Sequence, residues 1–238
     1  MSEIVEHPEY NNSDNPYPSF GKRYCGERAI ISLTSWKMRI HTVAKTLYSL
    51  YTMCPGFHIV LVLSEEEFPK MCEELPENLM LFVENEMIEL LWVYKNYKAF
   101  KKWAFTADKY RDVPIISADD DCIYTCNYAQ KLFNKWNTLK DKKTSIRWSY
   151  YKGHLENPSG PTNLYFGIND IVDFIKSLSD KIIQKSLDDD IIGSFIKRKK
   201  IKCNYVSKDA SKPFIFHNEF KPLHNYKNSL VFKKCYGK

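Results

Sequence analysis

Residues 113–124 (VPIISADDDCIY) set three consecutive carboxylates, Asp119, Asp120 and Asp121, directly after an apolar run. Carboxylates at the C-terminal end of a buried strand sit where open α/β sheets bind ligands. Three adjacent negative charges repel one another until a cation neutralises them. A divalent metal with oxygen ligands does so and can then hold a diphosphate. The segment therefore reads as a metal site for a phosphorylated substrate. In an extended chain side chains alternate, so Asp119 and Asp121 share one face and Asp120 takes the other. The competing reading is an acidic turn that caps the next element, which leaves three charges after a buried strand unexplained.

A second triplet, Asp188, Asp189 and Asp190, opens an amphipathic stretch. Its plain reading is a helix cap, with Ser186 and the aspartates opposing the helix dipole. Its functional reading is a general base. Arg39 offers a forked cation after the first strand, and Lys101 and Lys102 offer ammonium groups further on. The run Lys197-Arg-Lys-Lys200 suits a solvated helix C-terminus.

These groups need a scaffold, and the hydrophobic pattern supplies one. Residues 29–34 (AIISLT), 57–63 (FHIVLVL), 88–93 (IELLWV) and 113–117 (VPIIS) read as buried strands. Between them, residues 38–51 and 97–110 carry helical periodicity, and residues 64–76 read as a short helix capped by Ser64. Uninterrupted apolar strands alternating with helices predict an α/β fold with a Rossmann-like, mainly parallel central sheet and helices on both faces. Beyond the triplet, residues 128–139, 168–178 and 187–198 read as helices and 145–151 as a strand. Residues 153–167 read as loop, and little periodicity follows residue 207. Residues 1–24 are polar and read as a flexible arm, leaving 25–238 as a single domain.

At 238 residues the chain can bury a large core without staples. With 8 glycines and neither a Walker nor a dinucleotide fingerprint, glycine-rich phosphate loops are not expected. The 7 cysteines are odd in number and irregularly spaced, which points to reduced thiols. The first residues show no secretory signal, and no apolar run approaches the roughly 18–20 residues of a membrane span. A soluble, cytoplasmic protein is the expectation. The net charge of +6 suits an anionic ligand. A nucleic-acid-binding module would leave both acidic triplets idle, so no nucleic-acid partner is expected.

Taken in order, residues 31–40 (ISLTSWKMRI), 59–69, 98–102 (KAFKK), 115–124 (IISADDDCIY) and 187–195 (LDDDIIGSF) resemble glycosyltransferases of the GT-A fold. The likeness is to small bacterial-type and viral-type sugar transferases with a DXD motif. It spans residues 29–200 and leaves the source open between a bacterium and a virus. It implies a nucleotide-binding half (25–125), an acceptor-binding half (126–238), and transfer of a sugar from a nucleotide-diphosphate sugar, a UDP-sugar first, to a hydroxyl acceptor. That acceptor would be a glycan, a protein or a small molecule. The cofactor implied is Mn²⁺ or Mg²⁺. Thr34, Ser35 and Arg39 would hold base and ribose, and Lys102 would approach the diphosphate. Asp121 would ligate the metal directly, Asp119 would act on the metal, its water or the ribose, and Asp120 would point to ribose or donor sugar. Asp189 or Asp190 would be the base of an inverting displacement. Gly167 fits part of a glycine-rich turn near the sugar, and Asn169 and Asp170 either contact sugar hydroxyls or cap a helix. A late histidine, His217 or His224, would add a metal or diphosphate contact, His217 being the candidate metal ligand. Trp148, Tyr150 and Tyr151 either stack on a sugar or pack. A nucleotidyltransferase or another metal-dependent phosphoryl-group enzyme is the competing class.

Overall fold

The computed structural model describes residues 17–149, 163–185, 188–207 and 212–217. In chain order the elements are β1 (Ser19–Gly21), β2 (Ile30–Thr34), α1 (Val43–Met53), β3 (His58–Ser64), α2 (Glu77–Glu84), β4 (Glu89–Val93), α3 (Lys101–Lys109), β5 (Ile115–Ser117) and β6 (Cys122–Tyr124). There follow α4 (Tyr128–Asn137), β7 (Thr144–Ser149), β8 (Asn163–Tyr165), α5 (Ile171–Lys176), α6 (Asp180–Lys185), α7 (Asp188–Arg198), β9 (Lys202–Ser207) and β10 (Phe214–Phe216).

The four apolar runs form the parallel heart of the main sheet, in the order β4-β3-β2-β5. Their residues are buried on both faces, as parallel strands under helical cover must be. Alternation divides the core in two. Ile31, Leu33, Ile59, Leu61 and Leu90 pack with the apolar stripes of α1, α2 and α4. Ile30, Val60, Val62, Leu91 and Val93 pack with those of α3, α5 and α7.

The sheet as a whole is mixed: its parallel heart matches the expectation, and antiparallel strands join it at the flanks. β1 lies antiparallel on β4, β8 runs antiparallel between β5 and β7, and β9 completes the far edge parallel to β7. β8 is three residues long and ends a Pro/Gly-rich stretch. It is too short to show a period.

Other expectations shift for local reasons. Residues 17–24 belong to the domain rather than to an arm: Tyr17 is buried and β1 pairs with β4. Gly21 must be glycine there, because its φ is +82° and a Cβ would lie 2.5 Å from the Ile88 carbonyl. Residues 1–16 lie outside the described residues. The helix expected from residue 38 starts at Val43, after turns in which the Arg39 and Ile40 amides both donate to the Trp36 carbonyl. Ser64 ends β3 instead of capping a helix, and residues 64–76 hold turns and a 3₁₀ segment, Met71–Glu74. β10 pairs antiparallel with β6, with Phe216 opposite Cys122. Among the described residues, no helix is long and apolar enough to cross a membrane.

At the N-terminal edge of the parallel strands, buried Glu89 accepts from Lys109 Nζ at 2.7 Å and from the Tyr110 hydroxyl, and its Oε2 lies 2.6 Å from His58 Nε2. Lys109 also reaches Ser19 Oγ, tying β1 to the cluster. Burial alone would raise this carboxyl, but the His58 contact and the Lys109 charge outweigh it and bring it down to about 2 from an ordinary 4.5. A carboxyl lowered on folding stabilises the fold above its unfolded value, and that stability drains away as pH falls toward the folded value. Glu89→Gln should therefore cost about 3 kcal/mol at neutral pH in urea melts. It should also remove the Glu89 share of the stability loss between pH 4.5 and 2. A variant whose acid limb overlays the wild type would refute this role for Glu89.

Candidate active site

Because β2, β3, β4 and β5 run parallel, their C-terminal ends open onto one edge. The segment after β2, the turn after β3, the start of α3 and the aspartates after β5 meet there. β5 ends at Ser117, although the Ala118 amide still pairs with the Ser32 carbonyl. The chain then turns at residues 120–121 before β6. This turn breaks the strand alternation that would set Asp119 and Asp121 on one face, and each aspartate meets its own surroundings.

Asp119 accepts from Lys102 Nζ at 2.5 Å and keeps a side chain 29% exposed. Its amide donates to the Tyr124 hydroxyl. Asp120 is buried; its Oδ2 accepts from Ser35 Oγ and its Oδ1 from Arg39 Nη1, both at 2.7 Å. The same Nη1 lies 3.1 Å from Asp121 Oδ2. Burial pushes the Asp120 carboxyl above the ordinary range, and Arg39 and Ser35 pull against that. Asp120 is thus turned into the protein with both oxygens engaged. The sequence expectation for this residue is ribose or donor sugar; its observed partners are Ser35 and Arg39. Thr34 is also turned inward, its hydroxyl donating to the Val62 carbonyl at 2.6 Å.

The two neighbouring lysines point to different partners. Lys101 is buried against Glu67 and Asn96, where desolvation lowers its ammonium pKa. Lys102 alone of the pair donates to the aspartates.

β10 brings His217 opposite Asp121, and the His217 amide donates to the Asp121 carbonyl. The imidazole meets a residue that the motif does not flag, Thr46 of α1. Thr46 Oγ1 donates to the Asp120 carbonyl at 3.0 Å and lies 3.0 Å from His217 Nε2. A hydroxyl has one proton, and a carbonyl can only accept. Toward His217, Thr46 must then accept, so Nε2 is the donor in that contact. The signal in the sequence is a polar residue inside the apolar stripe of Val43, Leu47 and Leu50.

Among the described residues, no three His, Cys, Asp or Glu side chains converge into a closed metal cage. Mn²⁺ or Mg²⁺ arriving with a diphosphate needs none, since one or two carboxylates suffice and phosphate and water complete the shell. Asp119 and Asp121 are carboxylates of that kind, while the His217 side chain contacts Thr46. Asp189 and Asp190 fall in the first turn of α7, and their side chains lie outside the description. α7 packs against the 3₁₀ segment Lys98–Phe100 that leads into Lys101 and Lys102. Asp170 precedes α5 without a side-chain cap and pairs with Lys199. Gly167 and Asn169 sit in the turns before α5, the glycine at φ +69°. Trp148 packs in the core. Tyr150, Tyr151 and His224 lie outside the described residues.

Arg39 and Asp120 form a buried pair, so removing one charge strands the other. Arg39→Ala should cost about 3–5 kcal/mol in urea melts, and Arg39→Ala with Asp120→Asn should recover most of it. Strictly additive losses would contradict the pairing.

No family model matches the chain, and no curated protein matches it in sequence. Solved structures do match in fold. Glucosyl-3-phosphoglycerate synthase from Mycobacterium tuberculosis, with Mn²⁺, UDP and glucosyl-3-phosphoglycerate, is 9% identical over 92% of this chain and 88% of its own, at a TM-score of 0.53. The same enzyme with Mg²⁺ and UDP matches at 9% identity over 89% and 80%, with a TM-score of 0.52. A 4-diphosphocytidyl-2C-methyl-D-erythritol synthase matches at 0.48, with 11% identity over 86% and 99%. The chain therefore has an α/β fold of the GT-A type, with a mixed sheet.

Proposed function

We propose that the chain transfers a sugar from a nucleotide-diphosphate sugar, preferably a UDP-sugar, to a hydroxyl acceptor, using Mn²⁺ or Mg²⁺. The observation that carries this reading is the set of three aspartates held by Arg39 and Lys102 at the C-terminal edge of the parallel strands. Anion-balancing cations and metal-binding carboxylates in one place suit a donor that brings both a diphosphate and its ion. The shared fold of UDP-binding and metal-binding synthase structures supports it.

When bound, the ion offsets the charge growing on the leaving diphosphate. The chain's own residues do the rest. Arg39 and Lys102 give the diphosphate a cationic wall, with Asp120 and Ser35 fixing the guanidinium in place. Asp119 and Asp121 would offer oxygens to the ion, with His217 as a further candidate ligand. The acceptor oxygen attacks the anomeric carbon while the bond to the diphosphate oxygen breaks. Its proton passes to Asp189 or Asp190 at the start of α7, giving inversion. Residues 25–125 hold the donor and residues 126–238 meet the acceptor, a glycan, a protein or a small molecule.

UDP should raise the melting temperature only when Mn²⁺ is present, and Asp121→Asn should abolish that shift while leaving the unliganded melt within a few degrees. Turnover of a UDP-sugar should release UDP. Release of pyrophosphate from a nucleoside triphosphate would instead make the enzyme a nucleotidyltransferase. No metal-dependent nucleotide shift at all would end the proposal.

A further inference from the structure

The charge of the chain is unevenly placed. Residues 140–143 and 197–202 hold eight basic side chains and one acidic one, an excess greater than the +6 of the whole chain. The two segments are neighbours in space. Thr144 and Lys202 are partners in the β7–β9 ladder, so the loop before β7 and the turn from α7 into β9 emerge side by side. Lys202 reaches Asp141 at 3.6 Å between them, and Lys199 pairs with Asp170. Lys140, Lys143, Lys197, Lys199, Lys200 and Lys202 are all exposed.

Register fixes where this face lies. Ser145 is level with Tyr165, Tyr165 with Ile115, and Ile115 with Ile30. The basic face is therefore at the N-terminal edge of the parallel strands, across the sheet from Asp119–Asp121. It cannot serve the diphosphate, and neither the fold nor the reaction proposed above uses it.

We propose that this face docks the domain on an anionic lipid bilayer, with the candidate active site directed away from the membrane. Seven of the eight cations are lysines. Lysine is a hydrated point charge that suits diffuse attraction to a plane of headgroups, whereas forked arginines favour discrete phosphate or base contacts. Among the described residues, none of the large exposed apolar side chains belongs to these segments. The rings beside these cations, Trp136 and Phe174, are half-buried, so among the described residues a single-stranded nucleic acid would find no open stacking platform, and adhesion would be electrostatic and weakened by salt.

The test is co-sedimentation of the full chain with phosphatidylcholine vesicles, with and without phosphatidylserine, over a salt series. Binding should require phosphatidylserine and fall as salt rises. Lys140→Glu, Lys197→Glu and Lys200→Glu combined should weaken it by roughly tenfold or more. A control with Lys45→Glu and Lys70→Glu, two exposed lysines outside the face, should bind like the wild type. Matching melting temperatures of the two variants exclude misfolding as the cause. Equal binding to neutral vesicles, equal loss in the control, or tighter binding to duplex DNA or RNA at the same phosphate concentration would each overturn the proposal. Metal-dependent UDP shifts read the opposite edge separately, so either proposal can fail alone.

Discussion

Everything at the C-terminal edge depends on one guanidinium. Arg39 is the cation that allows Asp120 to be buried and Asp121 to stand beside it. Two carboxylates in adjacent positions, one of them taken out of water, would otherwise repel each other at low dielectric strength. With Arg39 in place, the loop after β5 can turn sharply and still present Asp119 and Asp121. Ser35 gives Asp120 its second partner, so the buried charge is fully bonded.

The guanidinium is in turn placed by the fold. β2 ends in the middle of the parallel block, and the turns after Trp36 delay α1 until Val43. That delay lets Arg39 reach across to the β5 loop. α1 then contributes Thr46 to the Asp120 carbonyl and to His217. Two elements far apart in sequence, α1 and β10, thus brace the same short acidic loop. The opposite edge is organised by a different buried charge, Glu89, which joins β1, β3, β4 and α3. The sheet is clamped at both ends by paired ions, and its middle is hydrocarbon.

The four parallel strands are legible in the sequence because burial on both faces demands unbroken apolar runs such as those at 30–34 and 58–64. The acidic triplet, Arg39 and Lys102 are legible because charge at a strand end has few structural uses. What is hidden is hidden for definite reasons. β1 and β8 are three residues each, below the length at which a period can show. The inward turn of Asp120 depends on Arg39 arriving from another loop, which spacing along the chain cannot express. Thr46 reads as an ordinary helix residue until His217 is set against it. The different partners of Lys101 and Lys102 follow from one helical step of about 100° that sends neighbouring side chains different ways.

The pairing of β10 with β6 also governs timing. Cys122 and Phe216 are ladder partners although most of the second half of the chain separates them. A ribosome would release the acidic loop well before the strand that braces it, so a nascent chain could assemble the parallel block and still lack the imidazole. Such long-separation contacts form late, because loop closure must come first. The bracing of the acidic loop from β10 would then be among the later events of folding.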